Sequence, residues 1–273
     1  MPYLTVNDCR YYVFDTGAPH EGAETVFFGH GYLMTHRVFE QQIEALRGRY
    51  RCVAPDWRGQ GDTEVTRDGY DPWDLARDAE ALITHLGLGA VHYVGFSMGG
   101  FVGVRLALLR PDLLRTLALL DTSASDEPAA AKRKYTALLW AVRTLGYDAV
   151  IDRVMPILFG PAFRSDPARR AEVERWKGII TSNSRTGIFR AGRGIFGRDS
   201  VLDRLGEIRR PTLLLVGEHD GPTPPALARE AHRRLPAAEL VEVADAGHTT
   251  PVERPERVTA ALEAFLGRHR SDG

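Results

Sequence analysis

The sequence predicts an α/β fold in which helices cover a mostly parallel sheet, and three observations support this prediction. Apolar, β-prone runs recur along the whole chain. Most of these runs are unbroken rather than alternating, which indicates strands that are buried on both faces. Segments with helical periodicity separate the runs, and this alternation of strands and helices favours an α/β over an α+β architecture.

The first predicted element is a hairpin, because the β-prone runs 3–6 and 11–14 flank the turn-forming pair Asn7-Asp8. Further apolar runs predict the buried strands, at residues 25–28, 51–54, 91–94, 117–120, 212–216 and 240–243. Apolar residues at helical spacing predict the covering helices, at residues 38–46, 75–86, 101–109 and 252–266. Together these elements account for the chain outside one long segment.

That segment, residues 124–206, is predicted to form a helical lid inserted into a core of residues 1–123 and 207–273. It contains no convincing strand and is too long for an ordinary connection. Between Ala124 and Glu207 there are 15 lysines and arginines against 10 aspartates and glutamates. In one interpretation this excess lies on solvated helix faces; in the other, the lid favours anionic substrates.

Length, charge and cysteine content restrict the possible functions. The chain has 273 residues, enough for one core with an insertion, and a net charge of −1, which indicates neither a nucleic-acid nor a membrane partner. The N-terminal region has no signal-peptide pattern, and no run approaches the roughly 18 apolar residues of a membrane span. Two cysteines, Cys9 and Cys52, form no disulfide framework. We therefore expect a cytoplasmic protein.

The segment Gly95-Phe96-Ser97-Met98-Gly99 matches the Gly-X-Ser-X-Gly pattern of a nucleophile elbow. The pattern alone is a weak signal, because the chain contains 27 glycines. Its position between a predicted strand and a predicted helix strengthens it, since such a junction places a serine on a tight, strained turn. We therefore predict that Ser97 is a nucleophile rather than part of an ordinary glycine-rich turn.

A serine hydroxyl needs a base to remove its proton, and His248 is the strongest candidate among nine histidines. It follows the last predicted strand and so lies at the carboxyl edge of the sheet, where catalytic groups gather. A carboxylate must orient its imidazole, and both Asp220 and Asp121 directly follow predicted strands. The chain order Ser97, Asp220, His248 favours Asp220, and Asp121 is the alternative.

Acyl transfer also needs hydrogen-bond donors for the developing oxyanion, and backbone N–H groups are already oriented for this task. We predict that Met98, the residue after the nucleophile, supplies one N–H, and that Tyr32, after the first buried strand, supplies the other. His30, Gly31 and Phe96 are predicted to contact substrate. His30 as a second base is a less favoured alternative.

These residues together resemble the α/β-hydrolase superfamily. The matching segments follow the family order between residues 25 and 255: His30-Gly31, Asp56 to Gly61, Gly95 to Gly100, Asp220 and Gly247-His248. The resemblance implies an α/β-hydrolase fold with a mostly parallel eight-stranded sheet, flanking helices and an inserted helical lid. It also implies a catalytic triad of Ser97, Asp220 and His248, with the amides of Tyr32 and Met98 forming the oxyanion hole.

Within the superfamily, the chain is similar to 3-oxoadipate enol-lactonases and cofactor-free haloperoxidase-type esterases. The similar segments are residues 97–100, 159–164 and 220–225. Two positions differ from these families. Tyr32 stands where haloperoxidase-like members usually carry Trp, and Thr249 follows the histidine at a position where enol-lactonases usually carry another residue. The resemblance also implies that residues 56–61 form a structural turn without a catalytic arginine.

The predicted reaction is hydrolysis of a small-molecule carboxylic ester or lactone through an acyl-enzyme. No metal or organic cofactor is expected, because the sequence shows no metal-ligand spacing and no phosphate-binding glycine loop. Hydrolysis of a carbon–carbon bond in a diketone by the same triad is the first alternative. A non-catalytic ligand receptor on this fold and a pure interaction protein are less favoured alternatives.

Overall fold

A single sheet contains all eight predicted strands in the computed structural model, which describes residues 2–270. The strands are β1 (Tyr3–Val6), β2 (Cys9–Asp15), β3 (Thr25–Gly29), β4 (Arg51–Pro55), β5 (Val91–Phe96), β6 (Leu114–Leu120), β7 (Thr212–Gly217) and β8 (Ala238–Val243). Their order across the sheet is β1-β2-β4-β3-β5-β6-β7-β8. The pairs β1–β2 and β2–β4 are antiparallel, and all remaining pairs are parallel. The sheet is therefore mostly parallel, as predicted.

Strand burial follows from position in the sheet. Every residue of β3, β5 and β7 is buried, as their unbroken apolar sequences require, whereas each of the edge strands β1 and β8 exposes two side chains. The register pairs Gly29 with Gly95 and Gly217 with Val243. Neighbouring strands therefore end beside one another, and the loops that follow them meet at one edge.

Helices cover both faces of the sheet. They are α1 (Glu40–Leu46), α2 (Pro72–His85), α3 (Met98–Leu109), α4 (Ala129–Leu145), α5 (Ile151–Leu158), α6 (Pro161–Ser165), α7 (Arg170–Ser182), α8 (Arg185–Phe196), α9 (Pro225–Arg234), α10 (Thr250–Glu253) and α11 (Pro255–Arg268). Adjacent residues of β3 point to opposite faces: Phe28 packs in the cluster that includes α1 and α11, and Phe27 in the cluster that includes α2 and α3. Within residues 2–270, no helix is both long enough and apolar enough to cross a membrane.

Three details of the predicted helices are wrong. The single helix predicted over 252–266 is divided into α10 and α11 at Arg254, because Pro255 disfavours helical backbone in the residue before it. A 3-10 turn over His36–Phe39 forms the start of the helix predicted at 38–46. The sequence pattern also missed α9, which buries only Ala228 and Ala231 and so lacks a marked apolar repeat.

The segment between β6 and β7 contains the five helices α4 to α8, and we refer to it as the lid. Its two ends lie together, because the Val201 N–H donates a hydrogen bond of 2.8 Å to the Ala124 carbonyl. Arg198 adds a second connection by donating from Nε to the Ser125 carbonyl at 2.9 Å. The exact domain limits at residues 124 and 206 stay a prediction.

Candidate active site

Ser97 occupies the tight turn between β5 and α3, with φ at +50° and ψ at −113°. A non-glycine residue rarely adopts such a backbone, so the turn is strained. Its N–H is held by the Leu120 carbonyl at 2.8 Å. Close backbone approach explains the flanking glycines: a Cβ at Gly95 would overlap the carbonyl oxygen of Gly99, and a Cβ at Gly99 would overlap that of Gly29.

A chain of hydrogen bonds joins Ser97, His248 and Asp220 at the carboxyl edge of the sheet. His248 Nε2 lies 2.9 Å from Ser97 Oγ, and His248 Nδ1 lies 2.9 Å from each carboxylate oxygen of Asp220. All three side chains are buried. When Nδ1–H donates to the carboxylate, the Nε2 lone pair faces the serine hydroxyl, as proton removal requires. Thr223 fixes the carboxylate by donating its N–H and its hydroxyl, both at 2.8 Å.

Asp121, the alternative acid, is directed toward other partners. Its carboxylate accepts the Gly217 N–H at 2.9 Å, and both the N–H and the hydroxyl of Thr250, at 3.2 and 2.5 Å. Burial, together with the negative charge of Asp220, raises the pKa of Asp121 well above its usual range. The structure therefore brings Asp220 to the imidazole, and uses Asp121 to connect the end of β7 to the start of α10.

The loop that carries His248 is held from both sides by Glu253, a residue that the sequence analysis missed. The Glu253 carboxylate accepts the N–H groups of Gly247 at 2.8 Å, Thr249 at 3.0 Å and Gly160 of the lid at 2.9 Å. Burial raises the pKa of Glu253 above its usual value, although these hydrogen bonds act in the opposite direction. In the sequence, Glu253 lies five residues after His248, a spacing that apolar periodicity does not reveal.

Glutamine 60 connects the two segments that were predicted to supply the oxyanion donors. The Leu33 N–H donates to Gln60 Oε1 at 2.8 Å, and Gln60 Nε2 lies 3.8 Å from the sulfur of Met98. Because α3 begins at Met98, the N–H of this residue is not used within the helix. The Tyr32 hydroxyl donates to the Ile188 carbonyl of the lid at 2.9 Å. The joint action of the Tyr32 and Met98 amides stays a prediction.

The three residues predicted to contact substrate lie behind the site. His30 is fully buried, with Nδ1 donating to the Gly31 carbonyl at 2.7 Å and Nε2 accepting the Trp57 N–H at 2.8 Å. Burial lowers the pKa of His30 to about 4, so its imidazole is neutral. The Phe96 ring lies 5.4 Å from the His248 ring. None of His30, Gly31 and Phe96 is among the residues that line the cavity beside Ser97.

The segment 56–61 forms a structural turn, as the resemblance implies. Asp56 accepts from the N–H and from Nδ1 of His36, at 2.7 and 2.9 Å. The guanidinium of Arg58 binds the buried carboxylate of Asp78 at 2.5 and 2.8 Å. The partner of His36 lies 20 residues away and on a different loop, so no local sequence pattern indicates it.

Ser97 and His248 face a cavity of about 100 Å³ beneath the lid. Its walls are mainly apolar, with contributions from Leu138, Leu139, Val142, Val154, Ile157, Leu158, Ile180 and Ile188. Glu127 and Arg198 also line it, and they form a buried ion pair of 2.8 Å. Burial lowers the pKa of Arg198. A larger groove of about 1290 Å³ beside Arg58 and Arg77 contains none of the residues of the hydrogen-bonded chain.

One group of exposed side chains has the donor types of a metal site. The ligand atoms of Glu218, His219 and Asp245 lie within 4.8 Å of one another. The sequence spacing did not predict this group, because its members follow two different strands. The Asp245 N–H donates to the Glu218 carboxylate at 3.1 Å, so a hydrogen bond within the loops already explains the arrangement. We therefore assign no metal to it.

Comparison with known proteins agrees with this geometry. Residues 26–261 match the alpha/beta hydrolase family. The chain is 29% identical over 249 residues to the AB hydrolase superfamily protein YisY of Bacillus subtilis, covering 88% of this chain and 90% of that protein. A thermophilic esterase from Thermogutta terrifontis has a TM-score of 0.88 at 30% identity, with 98% of each chain covered. The enol-lactonase from Burkholderia xenovorans LB400 has a TM-score of 0.91 at 25% identity, covering 97% of this chain and all of that one (100%). The chain therefore belongs to the alpha/beta hydrolase family and is a hydrolase of that type.

Proposed function

We propose that the protein is a serine hydrolase that cleaves a carboxylic ester or lactone through an acyl-enzyme intermediate. The hydrogen-bonded chain from Ser97 through His248 to Asp220 is the observation that carries this proposal. It gives the Ser97 hydroxyl, which borders the cavity, a base and gives the base an orienting carboxylate. Similarity to an esterase and to an enol-lactonase supports ester and lactone substrates.

In the first half of the proposed reaction, His248 removes the hydroxyl proton as Ser97 Oγ attacks the carbonyl carbon. The backbone N–H groups of Tyr32 and Met98 stabilise the tetrahedral oxyanion, and Asp220 stabilises the imidazolium. The intermediate collapses when His248 gives its proton to the leaving alkoxide. The acyl group then remains on Ser97.

In the second half, His248 removes a proton from water, and the hydroxide attacks the acyl carbon. Collapse of the second tetrahedral intermediate returns the proton to Ser97 Oγ and releases the carboxylic acid. Every proton moves through His248 Nε2, while Asp220 holds Nδ1 on the opposite side of the imidazole. No redox step is involved.

The cavity walls favour an uncharged substrate with an apolar acyl or alkyl group. The charged residues that line it are Glu127 and Arg198, which neutralise each other. An apolar cavity binds matching groups by removing their surface from water. Anionic substrates, the alternative suggested by the excess of basic residues in the lid, should respond differently to salt. They would lose kcat/KM steeply with added salt, whereas neutral analogues would not.

The test is Ser97→Ala, assayed with a p-nitrophenyl ester, a lactone and a diketone side by side. We expect ester or lactone turnover to fall by about 10⁴-fold or more in kcat, and a fluorophosphonate to label the native protein but not the variant. Ser165→Ala, which changes an exposed serine of the lid, is the matched control. Turnover of the diketone alone, or unchanged ester turnover in Ser97→Ala, would overturn the proposal.

A further inference from the structure

The positive charge of the lid is concentrated on two of its helices. Helices α4 and α8 contain seven basic residues and no acidic one: Lys132, Arg133, Lys134, Arg143, Arg185, Arg190 and Arg193. The acidic residues of the lid all lie on other elements. Because α4 packs against α8, the two helices present one surface, which we call the basic face.

The cations of the basic face are not neutralised by neighbouring carboxylates. Within residues 2–270, none of the seven has an aspartate or glutamate oxygen within 4.0 Å. Elsewhere in the lid, by contrast, Arg175 pairs with Glu40 and Arg198 pairs with Glu127. Arg190 donates to the Thr66 carbonyl, and the other six side chains are exposed. Such unpaired cations attract an anionic partner.

Two large apolar side chains of α4 are exposed near these cations. Trp140 is 55% exposed and Leu145 is 72% exposed, both on α4. Arg133 and Trp140 share the outward side of the helix, because seven residues make nearly two helical turns. The Trp140 ring meets the edge of Phe189 on α8, with 4.7 Å between ring centroids. An exposed indole beside basic side chains is typical of helices that bind at a lipid–water interface.

The opposite sides of the same two helices form walls of the substrate cavity. Tyr135 and Leu139 of α4, and Ile188 and Phe196 of α8, line it. A single layer of helix therefore separates the basic face from the space beside Ser97. A partner bound to this face lies next to the cavity that the proposed ester must enter.

We propose that the basic face docks on an anionic lipid surface. The unpaired cations match anionic headgroups, and the exposed indole of Trp140 matches the acyl boundary beneath them. An acidic protein would use the cations but would not need an exposed indole among them. The delivery of apolar esters from that surface rests on the proposed function, whereas the docking itself does not. The net charge of −1 for the whole chain does not indicate a membrane partner, but the positive charge concentrated on α4 and α8 does indicate one.

The experiment is co-sedimentation of the full chain with vesicles of phosphatidylcholine alone and with an equal mixture of phosphatidylcholine and phosphatidylglycerol. We expect binding to the mixed vesicles only, and its loss in high salt. The triple variant Lys132→Gln, Arg133→Gln, Lys134→Gln should bind about 100-fold more weakly, since each cation near an anionic surface contributes roughly a fivefold factor. Trp140→Ser should also weaken binding.

The matched control removes the same charge from three exposed arginines outside the lid: Arg67→Gln, Arg233→Gln and Arg257→Gln. It should bind like the native chain, and thermal unfolding checks that every variant is folded. Equal loss in the control, no binding to the mixed vesicles at low salt, or binding unaffected by Trp140→Ser would overturn the proposal; the last result would indicate purely electrostatic attraction without insertion of the indole. Since no turnover is measured, a Ser97→Ala chain gives the same answer, so failed docking and failed hydrolysis are distinguishable.

Discussion

Two buried carboxylates lie behind His248, and their hydrogen bonds give them different tasks. Asp220 directs both oxygens to the imidazole and to Thr223, whereas Asp121 directs its oxygens to Gly217 and Thr250. Asp220 can therefore stabilise an imidazolium, and Asp121 holds the backbone that positions it. This difference can be measured at the level of single residues.

Asp220→Asn should lower kcat by about 10⁴-fold, because a neutral amide neither stabilises the imidazolium nor holds the required tautomer. Asp121→Asn should retain most of the turnover while it lowers the free energy of unfolding. The measurements are ester kinetics and urea unfolding of both variants. If Asp121→Asn abolishes turnover and Asp220→Asn preserves it, the roles are reversed.

Residues with a local signature could be predicted, and residues defined by distant partners could not. Ser97 lies in a five-residue pattern, and His248 and Asp220 each follow a recognisable strand. Glu253 binds three backbone N–H groups, one of them 93 positions away, and no sequence pattern carries that information. His30 was predicted to contact substrate, but its hydrogen bonds to neighbouring backbone became visible only in the structure.

At the scale of elements, the loop after β8 and the lid are connected directly. Glu253 links this loop to Gly160, and the Thr249 hydroxyl donates to the Leu158 carbonyl at 2.6 Å. Helix α5 therefore ends against the residues that flank His248. A displacement of α5 would be transmitted to the base through these two hydrogen bonds.

Glu253→Gln tests this connection, because the amide keeps the size of the side chain but turns an NH₂ group toward backbone donors. We expect kcat to fall roughly tenfold or more, in line with the loss of hydrogen bonds to a charged acceptor, with KM little changed. The pH profile of kcat should shift as His248 loses its fixed position. Glu256→Gln, at an exposed position of α11, is the control. A variant with native kcat and pH profile but lower thermal stability would show that Glu253 only supports the fold.

Periodicity predicted elements that bury a continuous apolar side and missed those that do not. The strands β3 to β7 and helices α2 and α3 have such a side, whereas α9 buries little. Periodicity did not predict the basic face either. The sequence shows an excess of positive charge in the lid, but the position of that charge depends on which helices pack together and which cations pair with carboxylates.

At the scale of the whole molecule, burial of neutral His30 makes stability depend on pH. Its pKa falls from 6.5 to about 4 on folding, so between these values the unfolded chain binds a proton that the folded chain does not. Stability from this residue is fully present above pH 6.5 and is lost as the pH falls toward 4. The total loss is roughly 3 kcal/mol, from the size of the pKa shift.

Urea unfolding at pH 7 and pH 5 should show about 2 kcal/mol of this loss in the native chain, because pH 5 still lies above the folded pKa, and a flatter dependence in His30→Gln. The variant should be less stable at pH 7, because it no longer connects Gly31 and Trp57 in the same way. His85→Gln, which changes an exposed histidine, serves as the control. Equal pH dependence in the native chain and in His30→Gln would exclude His30 as the source.

The hydrogen bond between Val201 and Ala124 brings the two ends of the lid to one point. The conformational entropy of closing a loop whose ends are fixed grows only slowly with its length. Changes of length in the lid away from Leu158 and Gly160 can therefore leave unchanged the strand register that places Ser97, Asp220 and His248. The core and the lid are therefore structurally separable except where Leu158 and Gly160 hold the loop of His248, so the shape of the cavity can change while the chemistry at Ser97 is kept.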